Sequence, residues 1–212
     1  MKRTLIVAAI VLGFICTAFS AEKINIQIVY DCSGSMGGKT EGGSGKQKAE
    51  VAKTAMSGIV RMISQFVKAS PNTEINIGIV SFRGGKNGVI LPLQKFDSVK
   101  VNQAVENLPR PDGGTPLGVA LKTAYEGLPK DGRSHIFVIT DGEENGGLKM
   151  PEVIKDRKDV ASLYFVAFDV NAEVFNGVKS LGAMVVQANS AAELNSRVQT
   201  IFSQNILLEK ED

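Results

Sequence analysis

Ile24-Asn-Ile-Gln-Ile-Val-Tyr30-Asp31-Cys-Ser33-Gly-Ser35-Met36 is the stretch on which the reading of this chain turns. Lys23 to Tyr30 begins as an alternation of apolar and polar residues and becomes continuously apolar. A strand does this when it passes from the rim of a sheet into a core covered on both faces. The run then stops abruptly in a carboxylate and two hydroxyls. Asp31, Ser33 and Ser35 stand at i, i+2 and i+4, so in an extended or gently turning segment their short side chains project to one side and can converge on one small ion. Such donors suit a hard cation. Magnesium takes near-octahedral oxygen ligands at about 2.0–2.1 Å and keeps several of its waters. Manganese accepts the same oxygens, whereas soft metals want Cys or His, of which the chain has 2 and 1.

Two later stretches offer the same chemistry. Gly113-Gly-Thr115-Pro-Leu117 presents a third hydroxyl on a glycine loop entering a helix, and Ile136-Phe-Val-Ile-Thr140-Asp141-Gly142 ends a second buried apolar run in a second carboxylate. Asp31-x-Ser33-x-Ser35, then Thr115, then Asp141, each at a strand-to-helix junction, resembles the metal-ion-dependent adhesion site of von Willebrand factor type A domains. The resemblance spans Lys23 to Leu208 and implies a Rossmann-like fold. It also implies direct ligation by the Ser33, Ser35 and Thr115 hydroxyls, with Asp31 and Asp141 mostly holding coordinated waters. A cation so held carries little protein negative charge and stays electrophilic, so the resemblance further implies an Asp or Glu of a protein partner at its open position. Thr140-Asp-Gly-Glu-Glu144 and Phe168-Asp-Val170 make the chain most similar to exported bacterial members. Some of these place a cysteine pair after the first run. Asn145 and Gly146 stand there instead, so no stapled loop forms.

Outward from that stretch the chain alternates strands and helices. Ala49, Ala52, Met56, Ile59, Ile63 and Phe66 recur at helical spacing, and the helix ends before Ser70-Pro71. Glu74 to Phe82 reads as a second strand and Val89 to Leu93 as a third. The short link Arg83 to Gly88 is hairpin-like, so the third strand runs antiparallel at an edge, where Pro92 is tolerated because it need not donate to a ladder. Val101 to Leu108 and Leu117 to Leu128 read as helices, the latter opened by Thr115 with Pro116 in its first turn. His135 to Thr140 is a central strand, Pro151 to Asp159 a helix, Ser162 to Phe168 a strand. Val174 to Leu181 and Ala183 to Gln187 repeat helix and strand, and Ala191 to Ile201 closes the fold. The expected architecture is α/β, a doubly wound, mostly parallel sheet with helices on both faces and one antiparallel edge strand.

Met1-Lys2-Arg3 followed by the apolar run Leu5 to Phe19 has the layout of a secretory signal peptide, and Ala18-Phe19-Ser20 obeys the small-x-small cleavage rule. The expected organisation is a signal peptide over 1–20, one domain over 21–208 and a charged tail over 209–212, in a secreted or periplasmic protein. An uncleaved anchor or a lipid attached at Cys16 would leave the same domain outside the cytoplasm, with no membrane insertion of the mature domain. Of the 24 basic residues, Lys2 and Arg3 leave with the leader, which balances the 22 acidic ones. No nucleic-acid partner is therefore expected. Cys32 alone remains, so the mature chain has no internal disulfide and its core must carry the fold.

Other chemistries fit the same residues less well. A phosphate-binding loop needs G-x-x-x-x-G-K-[ST], and Ser33 to Thr40 puts a serine where the first glycine belongs. Serine or cysteine hydrolysis lacks a base, since His135 lies at the wrong end of its strand, and no enzyme activity is expected. Asp31, Ser33 and Ser35 could be an ordinary serine turn, Thr115 a helix cap, and Glu143, Glu144 and Asn145 either a solvated loop or a support of the site. The Gly37 to Gly45 excursion could cover the metal or contact a partner. Two functions follow. One is a metal-dependent module binding an acidic protein partner. The other is a structural or assembly subunit in which the metal only ties loops together.

Overall fold

In the computed structural model the described residues are 22–42, 45–84 and 86–208, so the expected signal peptide and charged tail lie outside them. The apolar runs become strands β1 (Glu22–Asp31), β2 (Thr73–Arg83), β3 (Lys86–Lys95), β4 (Arg133–Thr140), β5 (Ser162–Phe168) and β6 (Met184–Ala188). They form one sheet in the order β3-β2-β1-β4-β5-β6. β1 runs parallel to both neighbours, with Ile28 level with Ile79 of β2 and Phe137 of β4. β3 alone is antiparallel, at the edge, as the hairpin and Pro92 require.

The two-residue period of each strand divides the core. Ile24, Ile26, Ile28 and Tyr30 pack beneath α1 (Lys48–Ala69), α2 (Ser98–Glu106) and α6 (Ala191–Thr200). Val29, Ile136 and Val138 face α3 (Leu117–Glu126) and α4 (Met150–Lys155). Both faces are thus dry over Ile28 to Tyr30 of β1 and Ile136 to Ile139 of β4, which is why those stretches are continuously apolar. The last helix runs on into a π-helical turn, Ile201–Ile206, whose Phe202 meets Phe137 edge-on with ring centroids 5.0 Å apart. That geometry suits the ring quadrupoles and fixes the C-terminal helix to the centre of the sheet.

Three expectations need correction. The helix expected over Pro151 to Asp159 is α4, which stops at Lys155 with Asp156 as its cap residue. Lys155-Asp-Arg-Lys-Asp159 supplies no apolar residue to a buried face, so nothing holds further turns against the sheet. The helix expected over Val174 to Leu181 is a 3₁₀ turn, Ala172–Phe175, followed by the four-residue α5 (Asn176–Lys179). It ends where Gly182 takes a φ of 96°, a turn into β6 that a side chain would strain. Thr115 does not cap α3. The cap residue is Pro116, and no side chain bonds there.

This topology positions the site. β1 and β4 are adjacent, yet their helices cross on opposite faces. Asp31 ends β1 and Asp141 follows β4, so both carboxylates stand at the switch in strand order, outside the carboxyl ends of the strands, where open α/β sheets collect ligands.

Candidate metal centre

Asp31 is fully buried at the tip of β1. One carboxylate oxygen accepts from the Ser33 backbone N–H at 2.6 Å and the other from the Thr140 hydroxyl at 2.6 Å, which ties β1 to β4 and fixes the carboxylate's orientation. Gly34–Gly37 then turns as a short 3₁₀ helix and brings the Ser33 and Ser35 hydroxyls within 3.0 Å of each other. Ser35 donates on to Asp141 at 2.7 Å.

The Thr115 loop reaches this point by packing glycine on glycine. Gly34 donates to the Gly113 carbonyl at 2.9 Å, and Gly113 holds a φ of 66° with any added Cβ only 2.2 Å from the Cα of Gly84. No other residue permits that approach. Gly142 shows the convergence: a Cβ there would lie 3.3 Å from the Thr115 hydroxyl and 3.7 Å from that of Ser35. Ser33 and Thr115 are buried while Ser35 is exposed, so the notch opens to solvent on one side.

Glu144 and Asn145 support the site. The Asn145 side chain accepts from the Thr115 N–H at 2.6 Å, and its own backbone N–H donates to the Thr115 carbonyl at 3.2 Å. Glu144 takes the Gly118 N–H at 2.7 Å and the Met150 N–H at 3.0 Å, one carboxylate satisfying the first turns of both α3 and α4. Glu143 is exposed. The bonds to Thr115 and Gly118 reach across α3 and β4, with no periodic pattern in the sequence to announce them.

Electrostatics complete the arrangement. Burial pushes the Asp31 carboxyl up to about 6, against the lowering effect of its hydrogen bonds from Ser33 and Thr140, and the nearby Asp141 charge adds to the rise. Lys48, first residue of α1, reaches back to place its ammonium 3.1 Å from Asp141 and 3.4 Å from Asp169. Asp169 sits at φ 58° and also accepts from the Glu41 N–H at 3.0 Å. Lys48 was not among the expected site residues, although a lysine opening a helix opposes the macrodipole and so signals a nearby carboxylate.

The described part of the excursion after Met36 is tied to the ends of β5 and β6. Lys39 pairs with Gln47 as a β-bridge, Glu41 is held on Asp169, and Gly42 abuts Asn189 and Ser190 at the end of β6. Lys39 and Thr40 therefore do not open a helix, as a phosphate-binding loop would require. Cys32 is buried in the core, and burial pushes its thiol up to about 12, so it is a packing residue. His135 is buried at the opposite end of β4 from Asp141, with its imidazole pushed down to about 4 first by burial and then by the Arg133 charge.

The donor set fits a hard divalent cation. Among the described residues no three His, Cys, Asp or Glu side chains gather as a metal-binding group, so a centre here has to rest on hydroxyl oxygens with carboxylates behind them. Ser33, Ser35 and Thr115 supply the hydroxyls, and Asp31 and Asp141 the charge.

The sequence profile described as von Willebrand factor type A domain matches residues 26–144, from within β1 to the Glu144 clamp. The chain belongs to the von Willebrand factor type A domain family. The full domain is 26% identical to the uncharacterized protein YwmD of Bacillus subtilis, over 91% of this chain and 94% of that protein. In shape it is similar to the pilus adhesin SpaC of Lactobacillus rhamnosus GG, with a TM-score of 0.71 at 15% identity, covering 88% of this chain but 31% of SpaC. It is similar too to proximal thread matrix protein 1 of the mussel byssus with a zinc-occupied metal-ion-dependent adhesion site, at a TM-score of 0.68 and 18% identity over 85% of this chain and 47% of that one. This type A domain therefore spans about a third of the adhesin and about half of the byssus protein.

Proposed function

We propose that this chain is an exported, secreted or periplasmic, metal-dependent protein-binding module of adhesion type. Its cradle of Ser33, Ser35 and Thr115 takes Mg²⁺, and the bound cation receives an Asp or Glu of a protein partner. The observation that carries this reading is the convergence of three hydroxyls from two distant loops, with Ser33 and Ser35 3.0 Å apart and Ser35 and Thr115 both flanking Gly142, backed by the buried Asp31 and by Asp141. A hydroxyl shell leaves the cation short of negative charge, and so suited to binding an outside carboxylate. That proteins of the same fold include a pilus adhesin and one with zinc at this motif supports the reading. Among the described residues no helix is long and apolar enough to cross a membrane. On this reading the site binds a partner and breaks no bond.

Thermal unfolding in EDTA and in millimolar Mg²⁺ tests the cradle. A ligand at about a hundredfold over its Kd contributes roughly 2.7 kcal/mol, which raises the Tm of a domain this size by about 5–10 °C. Ser33→Ala with Ser35→Ala is expected to abolish that rise. A rise that survives the double substitution would place the cation elsewhere. Binding of an acidic partner that persists in EDTA while the fold does would favour an assembly subunit whose metal only ties loops.

A further inference from the structure

We infer that Lys48 sets the net charge of the metal centre and thereby trades cation affinity for carboxylate affinity. The inference rests on the reading of Ser33, Ser35 and Thr115 as a cradle for a divalent cation. Asp141 divides its two oxygens: one accepts the Ser35 hydroxyl at 2.7 Å on the cradle side, the other the Lys48 ammonium at 3.1 Å on the far side. The same ammonium lies 3.4 Å from Asp169. This is no surface pair, for the side chains of Lys48, Asp141 and Asp169 are 14%, 0% and 2% exposed. Charges so poorly hydrated act on one another, and on anything bound between them, far more strongly than exposed ones do.

The charges then balance in an informative way. Asp31, Asp141 and Asp169 bring three negative charges when ionised, and Lys48 cancels one of them. A divalent cation cancels the other two. The loaded centre is formally neutral, so an incoming carboxylate meets an electrophile and no net repulsion. Without Lys48 the loaded centre keeps one negative charge. It would hold its own cation harder and a partner's Asp or Glu less well. The chain commits to this placement at some cost, since a lysine at the first position of a helix opposes the macrodipole. Its backbone is fixed there by donation to the Gly38 carbonyl at 2.9 Å, and its carboxylate partner Asp169 by the Glu41 N–H.

Three proteins decide it: the wild type, Lys48→Met, which keeps the aliphatic stem, and Asp169→Asn, which removes a negative charge and leaves Lys48 on Asp141. Asn tolerates the left-handed conformation of residue 169 and can still accept from Glu41. Each is titrated with Mn²⁺ by calorimetry, and the loaded protein is then titrated with acetate while water-proton relaxation reports displacement of metal-bound water. Lys48→Met is expected to bind Mn²⁺ about tenfold more tightly and acetate about tenfold more weakly, and Asp169→Asn to move both quantities the opposite way. Equal Mn²⁺ affinity in all three, or tighter Mn²⁺ binding with unchanged acetate binding, overturns the inference. If Lys48→Met does not fold, Asp169→Asn decides alone by the sign of its change. No Mn²⁺ binding by any of the three overturns the cradle reading itself, which separates the two failures.

Discussion

Asp31→Asn is expected to make the metal-free protein more stable at neutral pH while removing its response to Mg²⁺. The carboxyl at residue 31 is fully buried, and burial holds its pKa in the fold at about 6, above the ordinary 3.8. A folded state that binds its proton more tightly than the unfolded chain is favoured where the proton is bound, and loses that advantage as the pH rises. The loss begins near 4 and is complete above about 6, so the buried charge destabilises the fold by roughly 3 kcal/mol at neutral pH. Asparagine carries no such charge and preserves the local bonds. Its carbonyl oxygen still accepts from the Ser33 N–H, and its amide can donate to Thr140, whose hydroxyl proton can turn to the Gly142 carbonyl at 3.3 Å. At pH 7.5 in EDTA the Tm should therefore rise by about 5–10 °C, and at pH 4 the difference should largely vanish. Thermal unfolding across that range checks both. A substitution that destabilises at every pH would mean that Asp31 is held for its hydrogen bonds and not despite its charge.

A destabilising group kept at the tip of a central strand is what a binding site looks like from the standpoint of folding. It also explains which parts of this protein were legible in the sequence. The sheet was, because β1, β2, β4 and β5 each bury both faces and so appear as apolar runs, while Pro92 and a short glycine link mark the edge strand. The cradle was legible for a different reason: Asp31, Ser33, Ser35 and Asp141 interrupt or end those runs with polar atoms that a core would otherwise exclude. Helix lengths were less so. α4 stops where its apolar residues do, yet the charged residues after it are good helix formers, and only the missing buried face decides against them.

Lys48, Glu144 and Asn145 were the least legible. Each acts through a loop contact whose partner is set by the relative placement of separate elements: Asp141 and Asp169 for Lys48, the first turns of α3 and α4 for Glu144, the Thr115 backbone for Asn145. No spacing rule encodes such contacts. In the chain, Glu143 and Glu144 are adjacent and chemically identical. In the fold one is exposed and the other joins two helix N-termini.

That clamp makes Gly118→Ala damaging where an alanine in a helix would ordinarily help. In a helix interior Gly to Ala ordinarily gains about 1 kcal/mol, because the alanine chain has less backbone freedom to lose. Gly58 in α1 should behave so, its nearest new neighbour being the mobile end of Arg61 at 4.0 Å. Gly118 should reverse the sign. A Cβ there would lie 1.9 Å from the Leu148 carbonyl oxygen, 2.8 Å from its carbon and 2.7 Å from the Glu144 carboxylate. Leu148 is backbone and cannot swing aside, so either the start of α3 or the loop before α4 must shift. The shift also pulls Glu144 off the Gly118 and Met150 N–H groups, and with it Asn145 and the Thr115 it holds. Overpacking together with two stranded donors gives an expected loss of about 3 kcal/mol or more, and a smaller rise in Tm with Mg²⁺ because one of the three hydroxyls is displaced. Urea unfolding of Gly58→Ala and Gly118→Ala, each with and without Mg²⁺, compares the two. If Gly118→Ala stays within about 1 kcal/mol of the wild type and keeps the full magnesium increment, the loop before α4 yields freely, and the cradle owes its geometry to β1 and its glycine contacts and not to the Glu144 clamp.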